Sequence, residues 1–232
     1  MEFTKALIKG KLIKRYKRFF ADVKLDKEIV TAHCPNTGSM KGLLDKGNEV
    51  FISKNDDPKR KLKYTLEIIR IKKNLVGVNT HFANKIAYHG LSNNLVKEIS
   101  NSESIKPEVF FDKETRFDFL VEKNKKKIFV EVKNVTLFRE EKIAEFPDAI
   151  TTRGSKHLKT LITAVKKGYK SYLLFLVQIQ GVENFKIAKD IDKEYYNNYL
   201  LAKKAGVKFL AYRCKISSKE IIIEKKIKII NE

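Results

Sequence analysis

The sequence predicts a mixed α/β protein in which a small closed β-barrel precedes a mixed sheet flanked by helices. Five short runs with strand-like alternation, separated by turn residues, occupy the first part of the chain. From about residue 81 the apolar spacing takes the helical period, and the apolar run at 172–179 has the length of a central strand covered on both faces. We therefore expect two domains, residues 1–82 and residues 83–232.

The predicted barrel strands lie within residues 5–25, 28–34, 49–53, 64–71 and 75–80. Basic and aromatic residues alternate around Arg18 and Phe19, a pattern that suits a nucleic-acid groove with stacking platforms. The alternative is that Phe19 or its neighbour Phe20 belongs to the core.

One loop interrupts the barrel pattern and is rich in small donor groups. The backbone and side chains of Asn36, Thr37, Gly38 and Ser39 could cradle a phosphate. The spacing is not that of a Walker loop, so nucleotide hydrolysis is not indicated. The alternative is an ordinary turn leading into a short helix at residues 40–44.

The second domain is predicted to contain helices at residues 83–88 and 91–99, a third that starts near Arg153 and runs to Gly168, and a fourth at 192–205 that Gly206 ends. Strands are expected at 108–112, 116–121, 128–133, 172–179, 207–212 and 220–224, the last at a sheet edge. The cationic side chains of Arg153, Lys156 and His157 come at the start of the third helix, where they could bind phosphate together with the helix N-terminus.

A hairpin at residues 116–133 carries the residues of greatest chemical interest. With the turn centred between Asn124 and Lys125, strand pairing places apolar residues opposite each other on one face. The three apolar pairs are Phe119 with Val130, Phe117 with Val132 and Val121 with Ile128.

The other face of that hairpin pairs Asp118 with Glu131 and leaves Lys133 beside them. Two adjacent carboxylates repel each other unless a divalent cation joins them, and Mg²⁺ commonly takes one or two protein carboxylates. The pattern predicts a Mg²⁺ or Mn²⁺ site in which Lys133 orients the attacking water or holds the phosphate. The alternative is an amphipathic hairpin with a solvated charged face.

Composition points to a polyanionic partner. The 232 residues contain 49 Lys and Arg against 28 Asp and Glu, a formal net charge of +21. Such a charge favours nucleic acid, although it could also reflect a lysine-rich composition with a protein as the partner. Only two cysteines, Cys34 and Cys214, are present, which favours a reduced, cytoplasmic compartment. Neither a membrane span nor a signal peptide is recognisable, so we expect no membrane partner.

Several of these segments resemble the sugar fermentation stimulation protein A family. The matching stretches are residues 33–40, 117–120, 130–137 and 146–149, together with Arg153-Gly154 and Lys156-His157-Leu158. The resemblance implies an OB-like barrel followed by a nuclease-like domain of the PD-(D/E)XK type. It also implies a DNA-binding protein linked to sugar, especially maltose, metabolism.

The resemblance implies roles for individual residues as well. Asp118 matches the first acid of the nuclease-type pattern, and Glu131 and Lys133 match its acid-x-lysine. Glu108 and Asp148 would be accessory acids near the metal. The chain departs from the family at Thr115-Arg116-Phe117-Asp118, where Ser-Arg-Ile-Asp is more usual, a conservative change that leaves the chemistry intact. Arg116 is a candidate nucleic-acid contact.

Two functional hypotheses follow. The first is a metal-dependent nuclease that acts on DNA, or on RNA. The second is a non-catalytic, largely non-specific DNA-binding regulatory factor. The oligomeric state stays open, with a homodimer as one alternative.

Overall fold

Residues 1–230 are described by the computed structural model, and the first part is a closed barrel. Its strands are β1 (Ile8–Tyr16), β2 (Phe20–Lys24), β3 (Ile29–His33), β4 (Glu49–Lys54), β5 (Tyr64–Ile71) and β6 (Asn74–Gly77). Strand β1 pairs with β2 and β4, β4 pairs with β5, and parallel pairing of β3 with β5 closes the ring. Alternate residues such as Leu12, Val23 and Ile52 fill the interior. The predicted five-stranded barrel is confirmed as the ring of β1 to β5, but the predicted run 5–25 forms two strands, β1 and β2, and the strand predicted at 75–80 is β6, which pairs with β5 outside the ring.

The second part is a six-stranded mixed sheet with helices on both faces. Its elements are α1 (Ala83–Ser92), β7 (Ser104–Phe110), β8 (Arg116–Lys123), β9 (Lys126–Val135), β10 (Leu137–Glu140), β11 (Ile143–Phe146), α2 (Thr152–Lys166), β12 (Lys170–Val177), β13 (Asn184–Ile187), α3 (Lys193–Ala205), β14 (Lys208–Ile216), β15 (Ile221–Lys226) and β16 (Lys228–Ile229). The strand order is β15-β14-β12-β9-β8-β7, and β9, β12 and β14 are parallel. The predicted mixed α/β architecture is confirmed.

Both faces of this sheet are buried, which explains the apolar run in β12. Leu173 and Phe175 belong to the cluster that includes residues of α2 and α3. Leu174 and Leu176 belong to the cluster that includes residues of α1. A strand covered on both sides must be apolar at consecutive positions.

The helix boundaries follow local capping. The Thr151 hydroxyl accepts a hydrogen bond from the Gly154 N–H at the start of α2, and the Asp192 carboxylate accepts one from the Tyr195 N–H at the start of α3. Gly206 ends α3 with φ +102°, a conformation that glycine adopts without strain.

Two predicted helices are wrong in detail. Residues 91–99 do not form one helix, because Asn94 takes φ +57° after α1 ends and only a short 3₁₀ turn, Lys97–Ile99, follows. Residues 40–44 form a turn, because Met40 and Gly42 both have positive φ. The small sheet of order β10-β11-β13-β16 was not predicted, since its strands have four residues or fewer.

The barrel is joined to the sheet by main-chain hydrogen bonds. The Gly77 N–H donates to the Gln178 carbonyl, and the Gln180 N–H donates to the Leu75 carbonyl. These bonds attach β6 to the segment that follows β12. Within residues 1–230, no helix combines the length and apolar character needed to cross a membrane.

Candidate active site

The hairpin of β8 and β9 has the predicted register over most of its length. Phe119 lies opposite Val130 and Val121 opposite Ile128. The ladder stops at Phe119, however, and the predicted pairing of Phe117 with Val132 is wrong. The Asp118 carboxylate accepts the Val132 N–H at 2.7 Å, so a side chain takes the place of a strand partner there.

The interruption at Asp118 also changes the direction of Phe117. Its ring packs against the rings of Phe111 and Phe129, in the cluster on the α2 side of the sheet. Phe119 packs in the cluster on the α1 side. Asp118 therefore lies at the point where the strand stops following simple alternation, at the mouth of a cleft.

Glu131 is the most buried acid of the hairpin, with 2% of its surface exposed. The Lys133 ammonium donates to Glu131 Oε1 at 2.8 Å, and His157 Nδ1 of α2 contacts the same oxygen. Burial favours the neutral acid, but the charge of Lys133 and the contact with His157 outweigh it and lower the pKa of Glu131. The alternative of a solvated charged face is therefore wrong at Glu131, because α2 covers it.

Glu131 Oε2 has no hydrogen-bond partner among the described residues, although it is buried. A buried carboxylate oxygen without a partner is costly, so its presence calls for an explanation. A bound cation at this oxygen is one explanation, since carboxylate oxygens are the preferred ligands of Mg²⁺.

Asp118 lies beside Glu131 and experiences its charge. Burial, and then repulsion by Glu131, raise the pKa of Asp118 from 3.8 to about 6. Hydrogen bonds from the Val132 N–H and the Asn84 amide oppose that rise without cancelling it. A carboxylate with a raised pKa in a cleft is a recognised sign of a functional site.

Asn84 is a site residue that the sequence did not reveal. Its side-chain amide donates to Asp118 at 2.8 Å and lies 3.3 Å from a Glu108 oxygen, so it joins the two acids. Glu108 itself has φ +55°, a strained conformation for a residue with a side chain. No sequence signal marks an asparagine in the first turn of a helix as a partner of a distant strand.

The cleft around Asp118 has a volume of about 650 Å³. Its lining residues are Asn84, Glu108, Phe110, Glu114, Thr115, Arg116, Asp118, Arg153, Lys156 and His157. The structure thus brings together the predicted Glu108, Asp118, Arg116, Arg153, Lys156 and His157, which come from three separate segments of the chain.

The basic residues of the cleft are paired with acids at its rim. Arg116 forms an ion pair with Glu108 at 2.8 Å, and Lys156 forms one with Glu114 at 3.0 Å. All four side chains are largely exposed, so these pairs contribute little to stability.

His157 was expected to bind phosphate at the start of a helix, but its side chain contacts an acid of the hairpin instead. It is 8% exposed and reaches from α2 to Glu131. Arg153 Nε donates to His157 Nε2 at 3.4 Å, whereas Nδ1 contacts Glu131 and lies 3.2 Å from the Lys133 ammonium.

The remaining predicted residues lie elsewhere. Asp148 is not among the residues that line the cleft, because its carboxylate packs directly against Gly38. Arg18 and Phe19 occupy the loop between β1 and β2, where the Phe19 ring stacks on His33.

The predicted phosphate loop uses its polar groups internally. The Asn36 side chain accepts the Gly38 N–H and donates to the Val78 carbonyl, while the Ser39 hydroxyl accepts the Lys41 N–H. The Arg15 guanidinium donates to the carbonyls of Asn36 and Gly38. Thr37 is exposed.

Within residues 1–230, no group of three or more His, Cys, Asp or Glu side chains is placed to hold a metal ion. Asp118 and Glu131 are two carboxylates, and Mg²⁺ commonly takes one or two from a protein.

Comparison with known proteins places both parts of the chain. Residues 13–78 match the family model described as SfsA N-terminal OB domain, and residues 81–220 match the model described as Sugar fermentation stimulation protein RE domain. A sugar fermentation stimulation protein homolog of Pelagibacter ubique is 88% identical over the full length of both chains. One from Pseudoalteromonas atlantica is 44% identical, covering 99% of this chain and all of that protein.

The fold also matches a solved structure, that of Pyrococcus furiosus SfsA in complex with Ca²⁺. The match has a TM-score of 0.88 at 26% identity and covers all of this chain and 98% of the other. Sequence and fold agree over the whole length, and the chain belongs to the sugar fermentation stimulation protein family.

Proposed function

We propose that the chain is a metal-dependent phosphodiesterase that cleaves DNA, with RNA as the alternative strand. The observation that carries this proposal is the meeting of Asp118, Glu131 and Lys133 beside a cleft lined with basic side chains. Acids joined by a cation next to a fixed ammonium are suited to phosphoryl transfer.

Asp118 and Glu131 are the residues that would hold Mg²⁺ or Mn²⁺. Glu131 Oε2 has no hydrogen-bond partner among the described residues, and the pKa of Asp118 is raised. Both observations indicate that the site carries more negative charge than the protein itself neutralises. A divalent ion bound there would supply a Lewis acid for the phosphate and lower the pKa of water. The description of the Pyrococcus furiosus relative as a complex with Ca²⁺ supports a divalent ion in this family.

Lys133 and His157 hold Glu131 in its ionised form. Both groups contact Oε1, which leaves Oε2 free to face a ligand. Because the Lys133 ammonium is fixed by this contact and is only 13% exposed, its charge is oriented before substrate arrives.

Arg116, Arg153 and Lys156 would bind the phosphates of the strand. Their side chains line the cleft, and the exposed ion pairs with Glu108 and Glu114 can exchange for phosphate at little cost. The net charge of +21 would draw the polyanion toward this surface.

The second candidate is a DNA-binding regulatory factor without cleavage. Two observations favour it: the absence of a three-ligand group within residues 1–230, and the hydrogen bonds already accepted by both Asp118 oxygens. In this case the basic surface would bind DNA and the acids would serve structure.

The experiment is cleavage of labelled DNA and RNA strands with Mg²⁺ or Mn²⁺, with EDTA as the control. We expect cleavage by the wild type and loss of about a hundredfold or more in Asp118→Asn, Glu131→Gln and Lys133→Met. The matched control is Lys127→Met, which removes an exposed lysine from the same strand and should leave the rate unchanged.

Two results would decide against an enzyme. One is the absence of cleavage above that of Asp118→Asn with either metal. The other is strand binding that is equally tight in EDTA and in Mn²⁺, with no product formed, which would favour the regulatory factor.

A further inference from the structure

A second cleft, of about 620 Å³, lies between the end of the barrel, the N-terminal segment and the start of α1. Neither the proposed catalysis nor the barrel fold accounts for it. It is separated from the first cleft only by the first turn of α1, since Phe82 and Lys85 line this cleft whereas Asn84 lines the other.

The floor of the second cleft contains a buried carboxylate without a cationic partner. Glu67 is 2% exposed, and its oxygens accept one hydrogen bond each, from the Ser53 hydroxyl at 2.6 Å and the Asn79 amide at 2.8 Å. Among the described residues no ion pair to Glu67 is present. Burial raises the pKa of Glu67, and the hydrogen bonds from Ser53 and Asn79 and the charge of Arg60 oppose that rise without cancelling it.

Glu67 retains acceptor capacity toward the cleft. An ionised carboxylate offers about four lone-pair positions, and only two are used here. The two unused positions, one on each oxygen, match a ligand that presents two N–H donors side by side.

Aromatic rings line the cleft and its rim is cationic. The ring centroids of His33 and His81 lie 6.3 Å apart with their planes inclined by 49°, and Phe82 adds another ring. Arg60 and Lys85 lie at the edge. Aromatic rings suit a base, and outer cations suit the phosphate attached to it.

From this arrangement we propose that the second cleft binds one unstacked nucleobase of the strand, and that Glu67 selects a base with adjacent N–H donors. Guanine, through N1–H and its 2-amino group, satisfies both free positions of the carboxylate. A phosphate would instead be repelled by Glu67. The inference rests on the proposed function only in assuming that the chain binds a nucleic-acid strand.

The test compares two fluorescent single strands, oligothymidine and the same strand with one guanine, by anisotropy in EDTA so that no cleavage occurs. The wild type should bind the guanine strand about tenfold more tightly. Glu67→Gln should lose this preference while keeping its affinity for oligothymidine. Glu49→Gln, on the adjacent strand β4 and outside the cleft, is the matched control and should keep the preference.

A strand with hypoxanthine in place of guanine provides a measurement that needs no variant. It lacks the 2-amino donor and should lose most of the preference. Equal affinity for all three strands, a preference kept in Glu67→Gln, or no single-strand binding at all would each overturn the proposal. Guanine preference without any cleavage would overturn the proposed catalysis and support the base pocket. Cleavage without guanine preference would support the catalysis and overturn the base pocket.

Discussion

Replacing Asp118 by Asn should stabilise the protein at neutral pH, although it removes a group proposed for catalysis. The pKa of Asp118 is raised from 3.8 to about 6, so keeping this carboxylate ionised in the fold costs about 3 kcal/mol above pH 6. Asparagine avoids that cost, but its one amide oxygen replaces two acceptor oxygens, so either the Asn84 amide or the Val132 N–H loses its acceptor at a cost of about 1 kcal/mol. The net gain should be about 2 kcal/mol, or about 4–8 °C in Tm.

The pH dependence identifies the cause. The pKa of Asp118 is higher in the folded protein than in the unfolded chain. The contribution of this acid to the free energy of unfolding is therefore fully present below about pH 4 and is lost as pH rises toward 6. The advantage of Asp118→Asn should therefore be absent near pH 4, grow between pH 4 and 6, and stay constant above. Added Mn²⁺ should stabilise the wild type but not the variant.

The assay is urea unfolding of both proteins in EDTA at a series of pH values. Asp190→Asn is a control of opposite sign, since hydrogen bonding to Arg139 lowers the pKa of Asp190 to about 2 and its loss should not stabilise the fold. The reasoning is refuted if Asp118→Asn is no more stable than the wild type at pH 7, or if its advantage is the same at pH 4.

Three further predictions are simpler. Gly38→Ala should cost about 1–3 kcal/mol, because a Cβ would overlap the Asp148 carboxylate, and most of the loss should be recovered in the double variant with Asp148→Ala; a fully additive double variant would contradict this in urea melts. Cys34 and Cys214 are free and buried, so a thiol reagent should react with neither until the protein is denatured; reaction of a native thiol within minutes would contradict it. DNA affinity should fall steeply with salt, given the net charge of +21, and a flat dependence in anisotropy titrations would argue against phosphate contacts.

The hairpin shows how far local pattern reaches. Alternation of apolar and charged residues was sufficient to place Phe119 opposite Val130, and to place Glu131 next to Lys133. It failed at Phe117, because the Asp118 side chain takes a backbone hydrogen bond from Val132 and interrupts the ladder. The alternation argument assumes an unbroken ladder of backbone hydrogen bonds. It contains no information about a side chain that takes the place of a backbone partner.

The site residues that were missed come from other elements. Asn84 lies on α1, and its role depends on how that helix packs over β8. Glu67 had no local signal either, since the cleft that it lines together with His33 and His81 forms only where the barrel meets the N-terminal segment and α1. Contacts between residues far apart in the chain leave no trace in local periodicity.

The sequence by itself determined the mixed α/β class, the closed barrel, most strands and helices, and the identity of the Asp118, Glu131 and Lys133 cluster. These features follow from side-chain periodicity, from turn residues and from the family resemblance. The tertiary structure alone decided that α2 buries Glu131 against His157, that Asn84 donates to Asp118, and that Asp148 lies elsewhere. The physical reason is that burial and electrostatic environment belong to the packing of distant elements, whereas pattern and propensity belong to neighbouring residues.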